Sequence, residues 1–265
     1  MIQSKFGKGW HDNLQYHAIC GDKLFAVRVF WTETLWHHSA WVYDGSVREL
    51  LNSSEPLHQS DADYTDLTGS AFRLAVPDSE GVAEVKSDVA DNALEIRFKP
   101  RRTFPYTSPL GPAIHQPDLD CRVTYRGETF SGLGFCKRYH FEGRVSHWGY
   151  RFVHGGLDGS TWAVWSADAN FGYHRYGYFK YVDADGQRHD AAAKDSTHRA
   201  DAIYGVVDGA NCEVELEELG SWDTLLRSPR MDSQMRQRFC RMKVTNDGVS
   251  EMGYAINETC FGTLG

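Results

Sequence analysis

The chain has 265 residues, with 36 acidic against 28 basic side chains and a formal net charge of −8. That length admits one large β domain or two barrels of roughly half the size, while the acidic balance and the absence of any Lys/Arg stripe exclude nucleic acid as an expected partner. The start, Met1–Asn13, has no apolar core of a leader, and the longest apolar run, Leu24–Trp31, is broken by Arg28 and too short to span a bilayer, so a soluble cytoplasmic protein without membrane insertion is expected.

Short segments rich in β-branched and aromatic residues, bounded by Gly, Asp, Asn or Pro, read as strands in chain order: Leu24–Trp31, Ala40–Tyr43, Ala71–Val76, Val82–Lys86, Leu94–Phe98, Cys121–Tyr125, His147–His154, Thr161–Asp168, Tyr176–Val182, Cys212–Leu219 and Phe239–Thr245. Short strands at this spacing predict an all-β sandwich or barrel. Between Lys99 and Pro117, Pro100, Pro105, Pro109 and Pro112 exclude a central strand and predict a stiff connection or lid. His189–Ala200 and Trp222–Met231 are expected to hold a helical turn or two, the second stopped by Pro229. Asp183–Gly186 and Asn246–Gly248 put Gly where a hairpin needs positive φ.

A short echo, Ser131–Phe135 against Ser250–Tyr254 at a separation of 119 residues, is about the length of one small barrel. It places an aromatic after Gly in both copies.

The six cysteines are scattered without a CxxC pair and predict buried free thiols. His37 and His38 are adjacent, so on a strand they point to opposite faces and do not share a metal. No HExxH, P-loop, GxGxxG or GxSxG context is present. No metal or organic cofactor is expected, although a metal assembled from distant strands is left open.

The segment Ser146–Asp168 carries the most chemistry. If an even loop centred on Leu157 and Asp158 joins its strands, His147 faces Asp168, close enough for a hydrogen bond. Arg151 and Ser166 then share their face, and Trp148, Tyr150, Phe152, His154, Ala163 and Trp165 lie on the other. A histidine oriented by a carboxylate suits general acid or base work near neutral pH. The bland alternative is a solvent-exposed surface pair, and an odd loop would remove the dyad altogether.

The next segment, Asn170–Tyr181, adds Tyr173, His174 and Tyr176 among further aromatics, which suit either a pocket for a ring-bearing or polyene ligand or a β core. Trp148, Tyr150, Trp162, Trp165, Tyr176 and Arg138 are the candidate substrate contacts. Arg138 and His140 share a face of one strand. Glu258, alternating with Tyr254, Ile256 and Cys260, is the acidic residue expected to close a structural ion pair with Arg138.

Gly127–Gly143 (GETFSGLGFCKRYHFEG), the Trp-rich hairpin after it and Gly253–Gly262 (GYAINETCFG) resemble the lipocalin-like superfamily of carotenoid 1,2-hydratases, kievitone hydratase, AttH-type proteins and fungal Diels–Alderases. The resemblance covers mainly the second half of the chain. It implies two lipocalin-like antiparallel β-barrels packed together, with the ligand in a pocket at their junction. It also implies cofactor-independent water addition or removal, cyclisation or isomerisation of an apolar substrate. His140 falls near the hydratases' catalytic histidine and Asp168 near their acid, whereas Lys137 stands where their motif has an acidic residue.

The expected organisation is an N-terminal barrel with the Pro-rich connection, residues 1–117, and a C-terminal barrel, residues 118–265. The expected function is a lyase or isomerase (hydratase, dehydratase or cyclase type) acting on a hydrophobic terpenoid, polyketide or phenolic molecule. His147 or His140 would transfer a proton, Asp168 would orient or supply it, and Tyr173 or His174 would stabilise developing charge. A non-catalytic carrier of the same ligand class is the alternative, and a carbohydrate-binding sandwich a weaker third.

Overall fold

The computed structural model describes residues 10–32, 35–56, 66–75, 81–85, 90–101, 113–142, 145–157, 163–171, 174–182, 187–192, 195–228 and 231–264. The first sheet comprises β1 (Trp10–Cys20), β2 (Lys23–Thr32), β3 (Leu35–Tyr43), β4 (Val47–Pro56), β5 (Asp66–Thr68), β6 (Phe72–Ala75), β7 (Gly81–Val85), β8 (Leu94–Pro100), β9 (Ala113–Tyr125) and β10 (Glu128–Glu142). The second comprises β11 (Val145–Leu157), β12 (Ala163–Phe171), β13 (His174–Val182), β14 (Arg188–Ala192), β15 (Ser196–His198), β16 (Ala202–Val207), β17 (Ala210–Ser228), β18 (Met231–Asn246) and β19 (Val249–Leu264). No helix among the described residues is long and apolar enough to cross a membrane.

Both sheets are antiparallel meanders closed by the same device. In the first, the order is β4-β3-β2-β1-β10-β9-β8-β7-β6-β5, so the last strand returns to pair with the first; in the second, β14-β13-β12-β11-β19-β18-β17-β16-β15 repeats this with β11 beside β19. The turn before each return strand has two residues of positive φ, Arg126 and Gly127 (54° and 78°) and Asp247 and Gly248 (47° and 80°). That is the two-residue geometry whose twist matches the flanking strands. The second is the turn predicted at Asn246–Gly248, whereas Asp183–Gly186 lies outside the described residues.

The structural repeat runs at 121 residues rather than 119. Gly132 and Gly253 are the matching positions, because a methyl on either would overlap a backbone carbonyl at the end of its unit's first strand, Ile19 and Gly156 respectively. The SGLGF echo is thus two residues out of structural step.

The chain divides into two compact units at Gly143 and Arg144. The boundary expected at Pro117 falls instead inside β9, because β9 and β10 complete the first sheet: β9 pairs with β8 and β10 with β1. The expectation that Lys99–Pro117 holds no central strand is corrected at both ends, since β8 runs to Pro100 and β9 starts at Ala113; the stretch 102–112 lies outside the described residues. In the two segments expected to hold helical turns, most of the described residues are strand instead, although Asp195 keeps a 3-10 conformation. Trp222–Met231 belongs to β17 and β18, whose alternation buries Trp222, Thr224 and Leu226 on one side, a period of two that overrides helix propensity. Arg188–Ala192 and Ser196–His198 are likewise strands.

The first unit buries Tyr16, Phe25, Val27, Trp36, Phe72, Phe98, Val123 and Tyr125 as its apolar core. His38 points into this core, its ring between Trp36 (4.8 Å) and Phe72 (5.5 Å), with Nε2 2.8 Å from Ser53 Oγ. His37 points the other way, to Ser54. On the opposite face of the same sheet a polar row is buried: Lys137, Gln15, Arg28 and Ser39 stand side by side on β10, β1, β2 and β3. Arg28 Nε donates to Asn13 Oδ1 at 3.1 Å.

The second unit's core is Val153, Leu157, Val164, Phe179, Ile203, Val214, Met242 and Ala255, among others. It closes nearly into a barrel where Gly205 of β16 meets Phe179 and Ala191; a methyl there would lie 2.8 Å from the Phe179 ring. All six cysteines are free, five of them buried. Burial pushes the Cys240 thiol up to about 12 and Cys212 to about 11, which keeps both protonated and unreactive.

Candidate functional site

The register of β11 and β12 decides which groups meet. Arg151 stands opposite Asp168, Val153 opposite Ser166 and Trp148 opposite Phe171. The expected pairing of His147 with Asp168 is therefore corrected: the register is offset by four residues, so that Asp168 faces Arg151. An even slide keeps both residues on their predicted face. It leaves His147, which is exposed, roughly 13 Å along the strand from the position opposite Asp168, at about 3.3 Å per residue.

Asp168 instead belongs to a polar plug at one end of the second barrel. His198 Nδ1 is 4.0 Å from its Oδ2. Arg151 donates to the carbonyl of Arg199, Arg238 to that of Ala200 at 2.5 Å, and Asn257 to the same carbonyl at 3.4 Å. These donors strap the segment between β15 and β16 across the barrel end. Burial, followed by the like charge of Arg238, lowers the Arg151 pKa, and Asp168 partly offsets this. A carboxylate committed to two such neighbours serves the plug.

The other face of the same strands holds the aromatics. Along β11, Trp148 stacks on Tyr150 (5.4 Å between ring centroids), Tyr150 tilts against Phe152 (4.8 Å), and Phe152 stacks on His154 (6.3 Å). The side chains stand in line because residues two apart share a face. β19 sets Glu258 opposite Phe152, and β18 sets Gln237 opposite Glu258. Glu258 is completely buried, as is Gln237. The Tyr150 hydroxyl donates to Glu258 Oε1 at 2.6 Å, and the Gln237 amide donates to Oε2.

A buried carboxylate is costly unless its oxygens are satisfied, and here each oxygen has a donor. Tyr178, on the strand beyond β12, and Ala169 are also buried, and Lys180 lies 3.4 Å from Asp190 with its pKa lowered chiefly by burial. The result is an aromatic wall with one hydrogen-bonded acid set into it.

Of the predicted site residues, Trp148 and Tyr150 lie together on this wall, and His147 and Asp168 do not meet. Arg138 and His140 are on β10, and Trp165, His174 and Tyr176 on β12 and β13, but their side chains, like Trp162 and Tyr173 entirely, lie outside the described residues. The expected Arg138–Glu258 symmetry is corrected too: with the repeat at 121 residues, Lys137 is the counterpart of Glu258, and the partners seen on Glu258 are Tyr150 and Gln237. Glu258 is the group that sequence reasoning placed in a structural role. Its signal was a lone acid in the apolar stripe Tyr254, Ile256, Cys260. Gln237 gave no signal, since it sits between Arg236 and Arg238 in a polar run of β18. Among the described residues no three His, Cys, Asp or Glu side chains converge as metal ligands.

No protein-family profile matches the chain, and no curated protein matches it in sequence. Solved structures do match in fold. An AttH protein from Nitrosomonas europaea superposes with a TM-score of 0.60 at 12% identity, covering 94% of this chain and 92% of that one. Kievitone hydratase from Nectria haematococca gives 0.60 at 9% identity over 94% and 88%, and CghA with Sch210972 gives 0.61 at 9% over 94% and 88%. At such identities the likeness is one of fold. The chain therefore has the all-β fold seen in these AttH, kievitone hydratase and CghA structures, the proteins its motifs resemble.

Proposed function

We propose that the chain is a cofactor-independent lyase or isomerase, of hydratase, dehydratase or cyclase type, acting on a hydrophobic terpenoid, polyketide or phenolic molecule. The observation that carries this reading is Glu258, buried and held by Tyr150 and Gln237 within an aromatic wall. Kievitone hydratase, with the same fold, is an enzyme by its name, which supports the lyase class.

In this reading the substrate's apolar body lies against Trp148, Tyr150 and Phe152, which exclude water. Glu258 accepts a proton from the substrate. The electron pair so released forms the new double bond or shifts along an existing one, and the proton returns to the departing or receiving atom through the Tyr150 hydroxyl, which recovers its own from Glu258. The pair ends as it began, so no co-reactant beyond water is required. Gln237 positions the carboxylate, and its amide would hold the developing neutral acid by the same contact.

Native mass spectrometry of the purified chain, followed by incubation of any co-purified apolar molecule with wild type and Glu258→Gln, tests the proposal. Conversion by wild type and retention without conversion by the variant is the expected result. Equal turnover by both proteins removes Glu258 from the chemistry, and binding without conversion by either makes the chain a carrier.

A further inference from the structure

The end of the second barrel opposite the Arg151 plug carries a site of its own. The inward-facing rows of β11, β18 and β19 finish there in a cleft of about 210 Å³ lined by Leu157, Val244, Asn246, Val249 and Glu251. Three of these side chains are aliphatic. The two polar ones offer acceptors.

Asn246 spends its amide nitrogen on the Tyr181 hydroxyl, at 3.3 Å. Tyr181 is itself fixed, buried in the barrel with its ring stacked on His189 at 4.5 Å, and His189 Nδ1 lies 2.5 Å from Asp208 Oδ2. This chain of contacts determines the orientation of the amide and leaves Asn246 Oδ1 buried without a donor. A buried acceptor left unsatisfied is a standing penalty that a ligand N–H or O–H relieves. Glu251 enters no ion pair among the described residues, whereas Glu215 and Glu217 on β17 are matched by Lys243 and Arg241 of β18.

We propose that this cleft binds a small apolar amine, a ring or short chain carrying one ammonium group. The apolar body lies against Leu157, Val244 and Val249, and the ammonium donates to Asn246 Oδ1 and to the Glu251 carboxylate. An ammonium has three donors and can satisfy both acceptors, whereas a single hydroxyl satisfies one. The charge of −8 favours a cation as well. The site is separate from the Glu258 wall: Glu251 and Glu258 lie an odd number of residues apart on β19, hence on opposite faces, and about 23 Å apart along the strand. Its failure would leave the proposed function untouched.

The test is titration of the full chain with phenethylamine, 2-phenylethanol and ethylbenzene, read from NMR shifts of the Leu157, Val244 and Val249 methyls. Saturable binding is expected, with phenethylamine at least about tenfold tighter than ethylbenzene. Val249→Trp fills the mouth at a position that is two-thirds exposed (67%), so the variant keeps its melting temperature and loses all three probes. Glu251→Gln brings phenethylamine down to the level of the alcohol. Ethylbenzene binding as tightly as the amine, affinity that survives Val249→Trp, or no saturation by about 10 mM probe overturns the proposal.

Discussion

Lys137 and Glu258 occupy the same place in the two sheets. Each stands on the strand that returns to close its unit, Lys137 between Gln15 and His115, Glu258 between Phe152 and Gln237. The same step of 121 residues relates Gly132 to Gly253 and the turn at Arg126 to that at Asp247. Both side chains are buried. One frame thus carries a cation beside Gln15 in the first unit and an anion beside Tyr150 in the second, a division that a duplicated scaffold permits because the backbone requirements are met by glycines elsewhere.

Glu258→Gln preserves shape but removes the proton acceptor. Turnover is expected to fall by roughly 10²–10⁴. Tyr150→Phe deletes a hydrogen bond to a charged group and is expected to cost about 1.5–3 kcal/mol of stability, read as a shift in the urea midpoint at constant slope. An unchanged midpoint for Tyr150→Phe would mean that the bond is not made in solution.

The plug makes a contrasting prediction for the two residues of the expected dyad. His147→Ala alters an exposed side chain and should stay within about 0.5 kcal/mol of wild type. Asp168→Asn leaves Arg151 and Arg238 facing each other without their neighbouring carboxylate and should destabilise by about 1–3 kcal/mol. Equal effects in chemical denaturation would return the two residues to a common role.

Gly132→Ala and Gly253→Ala should each destabilise by about 1–3 kcal/mol or more, since the methyl would have to displace backbone. Gly149→Ala is the control. Its methyl would sit 3.6 Å from the Phe261 Cβ, an ordinary contact, and its melting temperature should match wild type.

Stability should depend on pH through His37. Burial, then the charges of Arg28 and His38, lower its pKa from 6.5 to about 4, and burial lowers His38 in the same direction. Between these values the unfolded chain binds a proton that the folded chain refuses. Stability therefore rises with pH from about 4 to 6.5 and is full above it. The His37 contribution is of order 2 kcal/mol after allowance for partial solvent access. Denaturation at pH 4.5 and pH 7 measures the difference, and His37→Gln should reduce it; an identical difference in the variant would assign it to other groups.

Much of the fold was legible because strands announce themselves by composition and turns by glycine. The all-β class, the Asn246–Gly248 turn and the partition of the β11 aromatics from Arg151 and Asp168 all follow from a period of two. Register did not follow, since an offset of four residues preserves every face and changes only partners; it turned the expected His147–Asp168 pair into Arg151–Asp168. β1 and β19 were passed over because WHDNLQYHAIC and VSEMGYAINETCFGTL carry polar residues on a face that proves to be buried, and solvent-exposed strands carry the same pattern. Glu258 was seen but given a structural partner, because the true offset of the repeat depends on close backbone approach at Gly132 and Gly253, and not on the resemblance of the residues around them.

Met242 belongs to the core of the second barrel, which it shares with Val153, Phe179 and Ala255, its sulfur 2.5 Å from where a methyl on Gly155 would be. A transport calyx keeps that volume vacant for cargo. Here Met242 fills that volume among the described residues, and a mutation hollowing it out would create capacity that the native core lacks.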